Sequence, residues 1–261
     1  VIPCLGEPLA IVAEEEQWTY ELGAKAAWLD GRLSTNLSVY HIDWENQGLF
    51  TTVRILQTAG TYLTTTVIRN VGASKVDGLE LETSFRVTDR FTVLANYGYT
   101  DSRYDEGIDP ILEELTGNGD IHGKKVPNVP EHTLILGGNV TVPITPDADA
   151  FLNADYAYST RRYTAANNLS WLGNDLTLNL RAGVQTDSWT FTGYVRNLTD
   201  DDTPVAALDF VNFGTVDVNF DVNNYGNIPA SAGPDDDRDP RMFSLNPKRG
   251  RDWGLEVQYR F

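Results

Sequence analysis

An all-β, antiparallel up-and-down transmembrane β-barrel is the fold class this sequence predicts, on three observations. Apolar and polar residues alternate with period two through almost every segment. Tight polar turns and long polar connections follow one another in strict alternation. The segment from Trp253 to Phe261 alternates to its last residue and ends on an aromatic, where a soluble chain usually frays into a polar tail.

The composition is compatible with this. The chain has 261 residues, a net charge of -17, 41% hydrophobic residues and a mean hydropathy of -0.31. No stretch approaches the ~18 apolar residues of a membrane helix, which excludes a helical membrane protein. A barrel has unremarkable average hydropathy, because its strands turn apolar residues outward and polar ones inward. The acidic balance argues against nucleic acid as a partner, since phosphate binding needs clustered Lys and Arg. One cysteine, Cys4, excludes an internal disulfide framework and a Cys-rich zinc site. The opening residues from Val1 carry no basic region and no apolar core of a signal peptide.

The elements read in order as follows. Trp18, Tyr20, Leu22, Ala24, Ala26 and Trp28 form an apolar face opposite Thr19, Glu21 and Lys25. Leu79, Leu81, Thr83, Phe85 and Val87 alternate with Glu80, Glu82, Ser84, Arg86 and Thr88. Phe91, Val93, Ala95, Tyr97 and Tyr99 alternate with Thr92, Leu94, Asn96, Gly98 and Thr100. Leu134, Leu136, Gly138, Val140 and Val142 make the next face. Leu176, Leu178, Leu180, Ala182 and Val184 oppose Thr177, Asn179, Arg181, Gly183 and Gln185. Trp189, Phe191, Gly193 and Val195 oppose Thr190, Thr192, Tyr194 and Arg196. In all, about nine strands are predicted, near 17–29, 32–45, 62–88, 90–104, 124–142, 150–162, 174–186, 188–199 and 251–261. The only helical signal is a short turn near 110–115.

Tight connections are expected at Asp30-Gly31, Thr88-Asp89-Arg90 and Asp187-Ser188, with a slightly longer one at 143–149. Long connections are expected around 46–62, 104–127, 163–173 and 200–249. Short turns therefore gather at one end of the sheet and long loops at the other, as in outer-membrane barrels. Trp18, Trp28, Trp44, Tyr97, Tyr99, Tyr156, Tyr158, Trp189, Trp253 and Tyr259 sit near strand ends, where amphipathic rings suit a membrane interface. Glu80, Glu82, Arg86, Arg181, Glu256 and Arg260 suit a wet lumen. Several strands exceed the ~9–11 residues needed to cross a bilayer. An odd count starting from outside implies upstream strands beyond the chain, because single-chain barrels have even numbers. The alternative is an additional hairpin within 205–225, where Val216, Val218, Phe220 and Val222 alternate.

No catalytic constellation stands out, and no cofactor is implied. His41, His122 and His132 lack partners at metal-ligand spacing. Asp200, Asp201 and Asp202, with Asp235, Asp236 and Asp237, are oxygen-rich clusters able to bind a divalent cation or to bridge it to lipopolysaccharide phosphates; a solvated charge run is the competing reading. Substrate contact is expected from Arg54, Tyr104, Arg161, Arg162, Tyr163, Trp171 and Arg241, since Arg and aromatic side chains suit anionic, catecholate-like or glycan ligands. Asn168-Leu169-Ser170 and Asn197-Leu198-Thr199 match a glycosylation pattern that carries no meaning in a bacterial barrel.

Several segments, in order and spacing, resemble the TonB-dependent outer-membrane receptors. These are Trp18-Thr19-Tyr20-Glu21-Leu22-Gly23-Ala24-Lys25, Asp30-Gly31-Arg32-Leu33, and Asn36 through Trp44. Asn70-Val71-Gly72-Ala73-Ser74 with Gly78-Leu79-Glu80-Leu81-Glu82 follows, then Pro127-Asn128-Val129-Pro130-Glu131-His132. Val195-Arg196-Asn197-Leu198-Thr199-Asp200 and the final strand from Gly250 to Phe261 complete the set. The resemblance covers nearly the whole chain. It implies that residues 1–261 are the C-terminal part, about nine strands, of a 22-stranded outer-membrane barrel, without the plug domain and early strands.

It also implies energised uptake of a scarce nutrient, most often a ferric siderophore, and no enzymatic activity. The implied partners are outer-membrane lipid and lipopolysaccharide, the TonB complex through an upstream N-terminal region, and the barrel-assembly machinery reading Tyr259 and Phe261 as a terminal signal. A surface lipoprotein is a further possible partner in this reading. Cys4 is expected to pair with an upstream cysteine. A passive porin and a soluble carbohydrate-binding β-sandwich are the competing expectations.

Overall fold

A computed structural model describes residues 12–56, 62–109, 112–113, 116–211 and 241–261. Thirteen strands follow in chain order: β1 (Glu16–Trp28), β2 (Leu33–Leu56), β3 (Tyr62–Thr88), β4 (Phe91–Glu106), β5 (His132–Thr145), β6 (Ala148–Ser159), β7 (Arg162–Tyr163), β8 (Trp171–Leu172), β9 (Asp175–Thr186), β10 (Trp189–Arg196), β11 (Ala206–Val211), β12 (Arg241–Asn246) and β13 (Asp252–Tyr259). Nine of them form one antiparallel sheet in the order β1-β2-β3-β4-β5-β6-β9-β10-β13. The pairs β7-β8 and β11-β12 are separate small hairpins carried on two of the long connections. Leu112, Glu113 and Thr116 are helical, at the place where a turn is expected.

Each strand of this sheet pairs with its sequence neighbour in the wall, so the topology is up-and-down. The outermost strands, β1 and β13, are not hydrogen-bonded to each other, and the wall stays open. A soluble sandwich, the competing expectation, would bury one sheet face against a second sheet. Here the apolar face is bare instead: Trp253 is 77% and Leu255 83% exposed. Large side chains left uncovered along a whole face need an apolar solvent, and a bilayer supplies it.

The register fixes which residues share a face, because residues directly opposite in an antiparallel ladder point the same way. Tyr20 lies opposite His41, Leu22 opposite Val39, and Leu37 opposite Leu81. Leu81 lies opposite Tyr97, Tyr97 opposite Leu134, and Leu134 opposite Tyr158. Phe191 stands between Val184 and Val257. These residues make the outward face. The other face carries Glu82 opposite Asn36 and Asn96, Asn139 opposite Asn153, Asn153 opposite Arg181, and Thr192 opposite Glu256. This is the polar lumen wall that the alternation predicts.

Aromatic residues mark two levels on the outward face. Trp28, Trp189 and Tyr259 lie by the short turns, and Trp18, Tyr99, Tyr158 and Trp253 lie towards the long connections. Trp18 and Trp28 are about ten residues apart, or ~33 Å along a strand at 3.3 Å per residue, and ~25 Å vertically at a tilt near 40°. That matches the height of a barrel's apolar band. Trp44 departs from the expected interface set. It shares the lumen-side parity of Tyr40 and Ile42, and its indole N–H donates to the Glu15 carboxylate at 2.9 Å.

All the turns at one end are short. Residues 89–90, 146–147 and 187–188 join their strands directly, and 29–32 joins β1 to β2. Asp30 (φ 53) and Gly31 (φ 78) have the positive φ that a hairpin matching strand twist requires. Leu29 (φ 55) is drawn into the same conformation, so the loop has four residues where the sequence suggests two.

At the other end, one expectation needs correction. The connection placed at 46–62 is mostly sheet: β2 and β3 run on as a ladder from Gln47 opposite Gly72 to Leu56 opposite Tyr62. A bulge between Trp44 and Gln47 and again at Gly48, with Asn46 at φ 55, bends the ladder there. The segment preceding β1 is tied across the bend. The Asn70 side chain accepts the Ala13 N–H at 2.7 Å and donates to the Asn46 carbonyl at 2.6 Å, and Asn46 donates to the Glu14 carbonyl at 2.6 Å.

The strand count of the wall agrees with the expected nine. The additional hairpin expected within 205–225 lies mostly outside the described residues; what is described is a different pairing, β11 with β12 at residues 241–246. Val216, Val218, Phe220, Val222, Cys4 and Asp235, Asp236 and Asp237 lie outside the described residues.

Candidate functional site

The long connections make a second layer above the outer aromatic level. Its centre is a small core of its own: Tyr104, Leu112 and Ile121, at 4%, 6% and 0% exposure, with Val126 and Ala166 packed against them. Sequence pattern makes this possible. β4 continues past the membrane level to deliver Tyr104, and Asp109 caps the helical turn, its carboxylate accepting the Leu112 N–H at 2.8 Å. Burial, with the nearby Asp109 charge, pushes the Tyr104 phenol up to about 12. Tyr104 is therefore a loop anchor, and its expected part in substrate contact is corrected: the ring is covered by its own loop.

Two connections are stitched into one body around this core. Asn168, at φ 57, lies against Lys125, its Oδ1 accepting the Lys125 N–H at 2.7 Å and its Nδ2 donating to the Lys125 carbonyl at 2.8 Å. The Asn128 N–H donates to the Tyr163 carbonyl at 2.8 Å. The Lys125 ammonium meets Asp101 at 2.7 Å and Glu131 at 3.1 Å.

A third connection is held at its base by Asn197 (φ 49), which is 4% exposed. Its amide donates to the Asp201 carbonyl at 2.9 Å and the Arg249 carbonyl at 3.0 Å, and its Oδ1 accepts the Asp201 N–H at 3.1 Å. The Lys248 ammonium lies partly buried beside it, 2.5 Å from Asp175, 3.6 Å from Asp201 and 3.0 Å from the Leu176 carbonyl.

Against this frame the expected ligand residues separate. Arg161, Tyr163 and Trp171 come together on the β7-β8 hairpin. The Arg161 guanidinium carbon lies 5.9 Å from each of the two ring centroids, and the rings meet edge to face at 6.4 Å. Trp171 is 56% exposed. Arg162 is committed elsewhere: it donates to the Val205 carbonyl at 2.8 Å and fastens the second connection to the third. Arg54, opposite Thr64, and Arg241, opposite Val211, stand on two other hairpins.

The expected acidic cation site is not assembled by the residues described. Asp200 accepts the Arg251 N–H at 2.8 Å, and Asp201 accepts the N–H groups of Thr203 at 2.8 Å and Leu176 at 3.1 Å. Asp202 is exposed. Among the described residues, no group of three or more His, Cys, Asp or Glu is gathered to hold a metal. Burial would raise the Asp201 pKa, but the Thr203 hydrogen bonds, Lys248 and the Leu176 N–H outweigh it and hold the carboxyl below its usual range. The histidines have protein partners: His41 with Asp77 at 2.8 Å, His122 with the Asp105 carbonyl at 2.7 Å, and His132 with the Tyr97 hydroxyl at 2.8 Å.

Sequence reasoning missed Asn168, Asn197 and Lys248 as the residues that build this layer. The two asparagines are the ones whose tripeptides match a glycosylation pattern. The signal available was Asn in a polar connection, a residue suited to positive φ and to mimicking a backbone partner.

Comparison with known proteins places this architecture. Residues 12–198 match the family model described as TonB dependent receptor-like, beta-barrel. The chain is 30% identical over 163 residues to the probable TonB-dependent siderophore receptor PiuA of Acinetobacter baumannii; the match takes in 62% of the chain and 20% of PiuA. The chain thus spans about a fifth of that relative. Among solved structures, the ferric yersiniabactin uptake receptor FyuA from Yersinia pestis superposes with a TM-score of 0.66 at 18% identity, covering 95% of this chain and 30% of FyuA. The structure of PiuA superposes at 0.63 with 21% identity, covering 94% and 28%. At these identities the superpositions speak for the fold.

Proposed function

This chain belongs to the TonB-dependent receptor family, as part of its outer-membrane β-barrel, and from that premise we propose that the full-length protein imports a ferric siderophore with energy delivered through TonB. Similarity to the siderophore receptor PiuA is the observation that carries this reading. The chain serves as the C-terminal part of a longer barrel, with the plug and the TonB-contacting segment in the rest of the protein. The open wall from β1 to β13 and the chain's one-fifth share of PiuA support that placement.

Within this reading the described residues have separable tasks. The outward face seats the wall in lipid, with lipopolysaccharide above the outer aromatic level. The polar lumen wall, with the Arg181–Glu256 pair at 3.2 Å, keeps a hydrated path along which a polar cargo is not forced into contact with apolar surface. The stitched outer layer holds the ligand-facing hairpin, and Arg161, Tyr163 and Trp171 supply a cation and aromatic faces where a chelate arrives. Tyr259 and Phe261 serve as the terminal signal for barrel assembly.

The test is uptake of radiolabelled iron from a panel of ferric siderophores under iron limitation. The strains compared carry or lack the full-length gene, each with and without TonB. Uptake of at least one chelate should require both the gene and TonB. Gene-dependent uptake that persists without TonB would mark a passive pore and overturn the proposal.

A further inference from the structure

We propose that Asn118-Gly119 is a self-modifying site: in the folded receptor the Gly119 backbone nitrogen attacks the Asn118 side-chain amide and converts it, through a succinimide, to aspartate and isoaspartate. The pair lies in the cover of the outer-layer core, apart from the residues expected to contact substrate. Three observations carry the proposal.

The first is the pair itself. Asn118 is the only asparagine of the chain that is followed by glycine, so no side chain stands beside the attacking nitrogen. Asn118 is exposed, and the Gly119 N–H has no hydrogen-bond partner among the described residues. The clamping asparagines differ. Asn168 and Asn197 precede Leu169 and Leu198, and their side-chain amides are spent on backbone groups.

The second is geometry. The Asn118 side-chain oxygen accepts the Asp120 N–H at 3.0 Å. That oxygen takes up negative charge when nitrogen adds to Cγ, so a donor is already aimed at the developing oxyanion. The Thr116 hydroxyl oxygen accepts the Asn118 N–H at 3.2 Å and lies 2.8 Å from the Asn118 carbonyl oxygen. The main chain is thereby held while the reacting atoms, one residue apart, close a five-membered ring.

The third is that packing demands the glycine. A Cβ at Gly119 would stand 2.9 Å from the Asp109 carbonyl oxygen and 2.9 Å from the Glu113 Cβ. Gly119 is buried there, its carbonyl accepting the Asp109 N–H at 2.9 Å. The residue that makes Asn118 labile is thus the one the loop needs.

The step consumes only water. The Gly119 nitrogen bonds to Asn118 Cγ and loses its proton to hydroxide; the side-chain nitrogen takes a proton from water and leaves as ammonia. Water then opens the succinimide, at Cγ to give aspartate or at the main-chain carbonyl to give isoaspartate. Isoaspartate puts one extra carbon into the main chain, and either product adds a carboxylate to a loop that carries Asp109, Glu113 and Asp120. The Asp109–Gly119 bond and the Ile108–Asp120 bridge adjoin the pair, and both lie beside Ile121, which is 0% exposed. Conversion therefore loosens the cover of this core.

The experiment ages the purified full-length receptor in detergent at neutral pH and physiological temperature, beside the same protein unfolded in urea. Peptide mass mapping and isoaspartyl methyltransferase labelling read the products. Asn118 should lose its amide in the folded receptor at least as fast as in urea, while Asn128, Asn168 and Asn197 keep theirs. Aged receptor should exchange amide hydrogens faster at residues 104–109 and 119–121. Asn118→Gln, whose attack would close a six-membered ring, should lose the labelling of this peptide and hold exchange at its starting rate; heat-modifiable electrophoretic mobility checks that it is folded. Conversion in urea but not in the folded receptor would show that the fold protects the pair and overturns the proposal. Equal conversion at the other asparagines overturns it as well, by removing the selectivity of the site. Conversion with unchanged exchange would leave the site standing and overturn its effect on the core.

Discussion

Asn168 engages Lys125 through both backbone groups, accepting its N–H at 2.7 Å and donating to its carbonyl at 2.8 Å. A side-chain amide thereby takes the place of a β-bridge between two surface connections. Removing it strands a backbone donor and an acceptor that are only partly accessible to water, a loss of about 1–3 kcal/mol of local stability. Asn168→Gly separates the causes: glycine keeps the left-handed backbone (φ 57) and loses the bonds. Faster amide hydrogen exchange at residues 121–126 and 163–167 in both Asn168→Ala and Asn168→Gly is the expected outcome. Unchanged exchange in the glycine variant would assign the residue's value to backbone conformation alone.

Two glycines of the wall make an internal contrast. A Cβ on Gly183 would stand 2.1 Å from the Phe191 carbonyl oxygen and 2.7 Å from the Phe151 ring, whereas a Cβ on Gly138 meets nothing within 4 Å. The obstruction at Gly183 is partly backbone, so it cannot be relieved by a rotamer change. Gly183→Ala is expected to cost roughly 1–3 kcal/mol and to lower the fraction of full-length receptor that runs as the folded, heat-modifiable form. Gly138→Ala should match wild type. Equal folded fractions for the two would contradict the close approach of β9 and β10 at this point.

How much of this was readable beforehand depends on which forces set each part. The wall was legible because lipid on one side and water on the other impose period two, as Leu176 to Val184 against Thr177 to Gln185 display. Strand ends beyond the membrane were not, since at Gln47–Leu56 the strict alternation fades while the ladder continues. At the site, Arg161, Tyr163 and Trp171 were legible by residue type alone. Tyr104 was misjudged because an aromatic in a polar connection reads as exposed until the partners that bury it, Leu112 and Ile121, are known. The asparagine clamps were illegible for a different reason: Asn168 and Lys125 are far apart in sequence, and no period links them.

Asp201 gives the outer layer a pH dependence with a definite sign. Its folded pKa lies below the ordinary Asp value of 3.8, through the net of burial and the Thr203, Lys248 and Leu176 interactions. A depressed carboxyl contributes stability that is present above the unfolded pKa and is lost as pH falls through the folded one. The base of the third connection should thus be intact at neutral pH and loosen only in the acid range below the usual carboxylate titration. Limited proteolysis of full-length receptor at residues 197–205, run from neutral pH into that range, reads it out. Asp201→Asn should raise cleavage at neutral pH and flatten the profile. A wild-type profile that loosens only near neutrality would point to a different titrating group.

The closing strand offers the last test. Tyr259 lies opposite Trp189 in the β10-β13 ladder, with ring centroids 4.6 Å apart, and Phe261 sits edge-on to Tyr259 at 5.1 Å. The Arg260 N–H donates to the Ser188 carbonyl at 2.8 Å, so pairing continues to the penultimate residue. Phe261 itself is uncovered and adds little packing to the finished wall. If its task lies in assembly, deleting it should reduce the amount of receptor inserted in the outer membrane while leaving the thermal stability of the inserted fraction near wild type. Tyr259→Ala, which removes a ring packed against Trp189, should lower both. Comparing inserted yield with melting temperature for the two variants distinguishes a recognition role from a packing role. Normal insertion after loss of Phe261 would remove the assembly signal from this end of the chain.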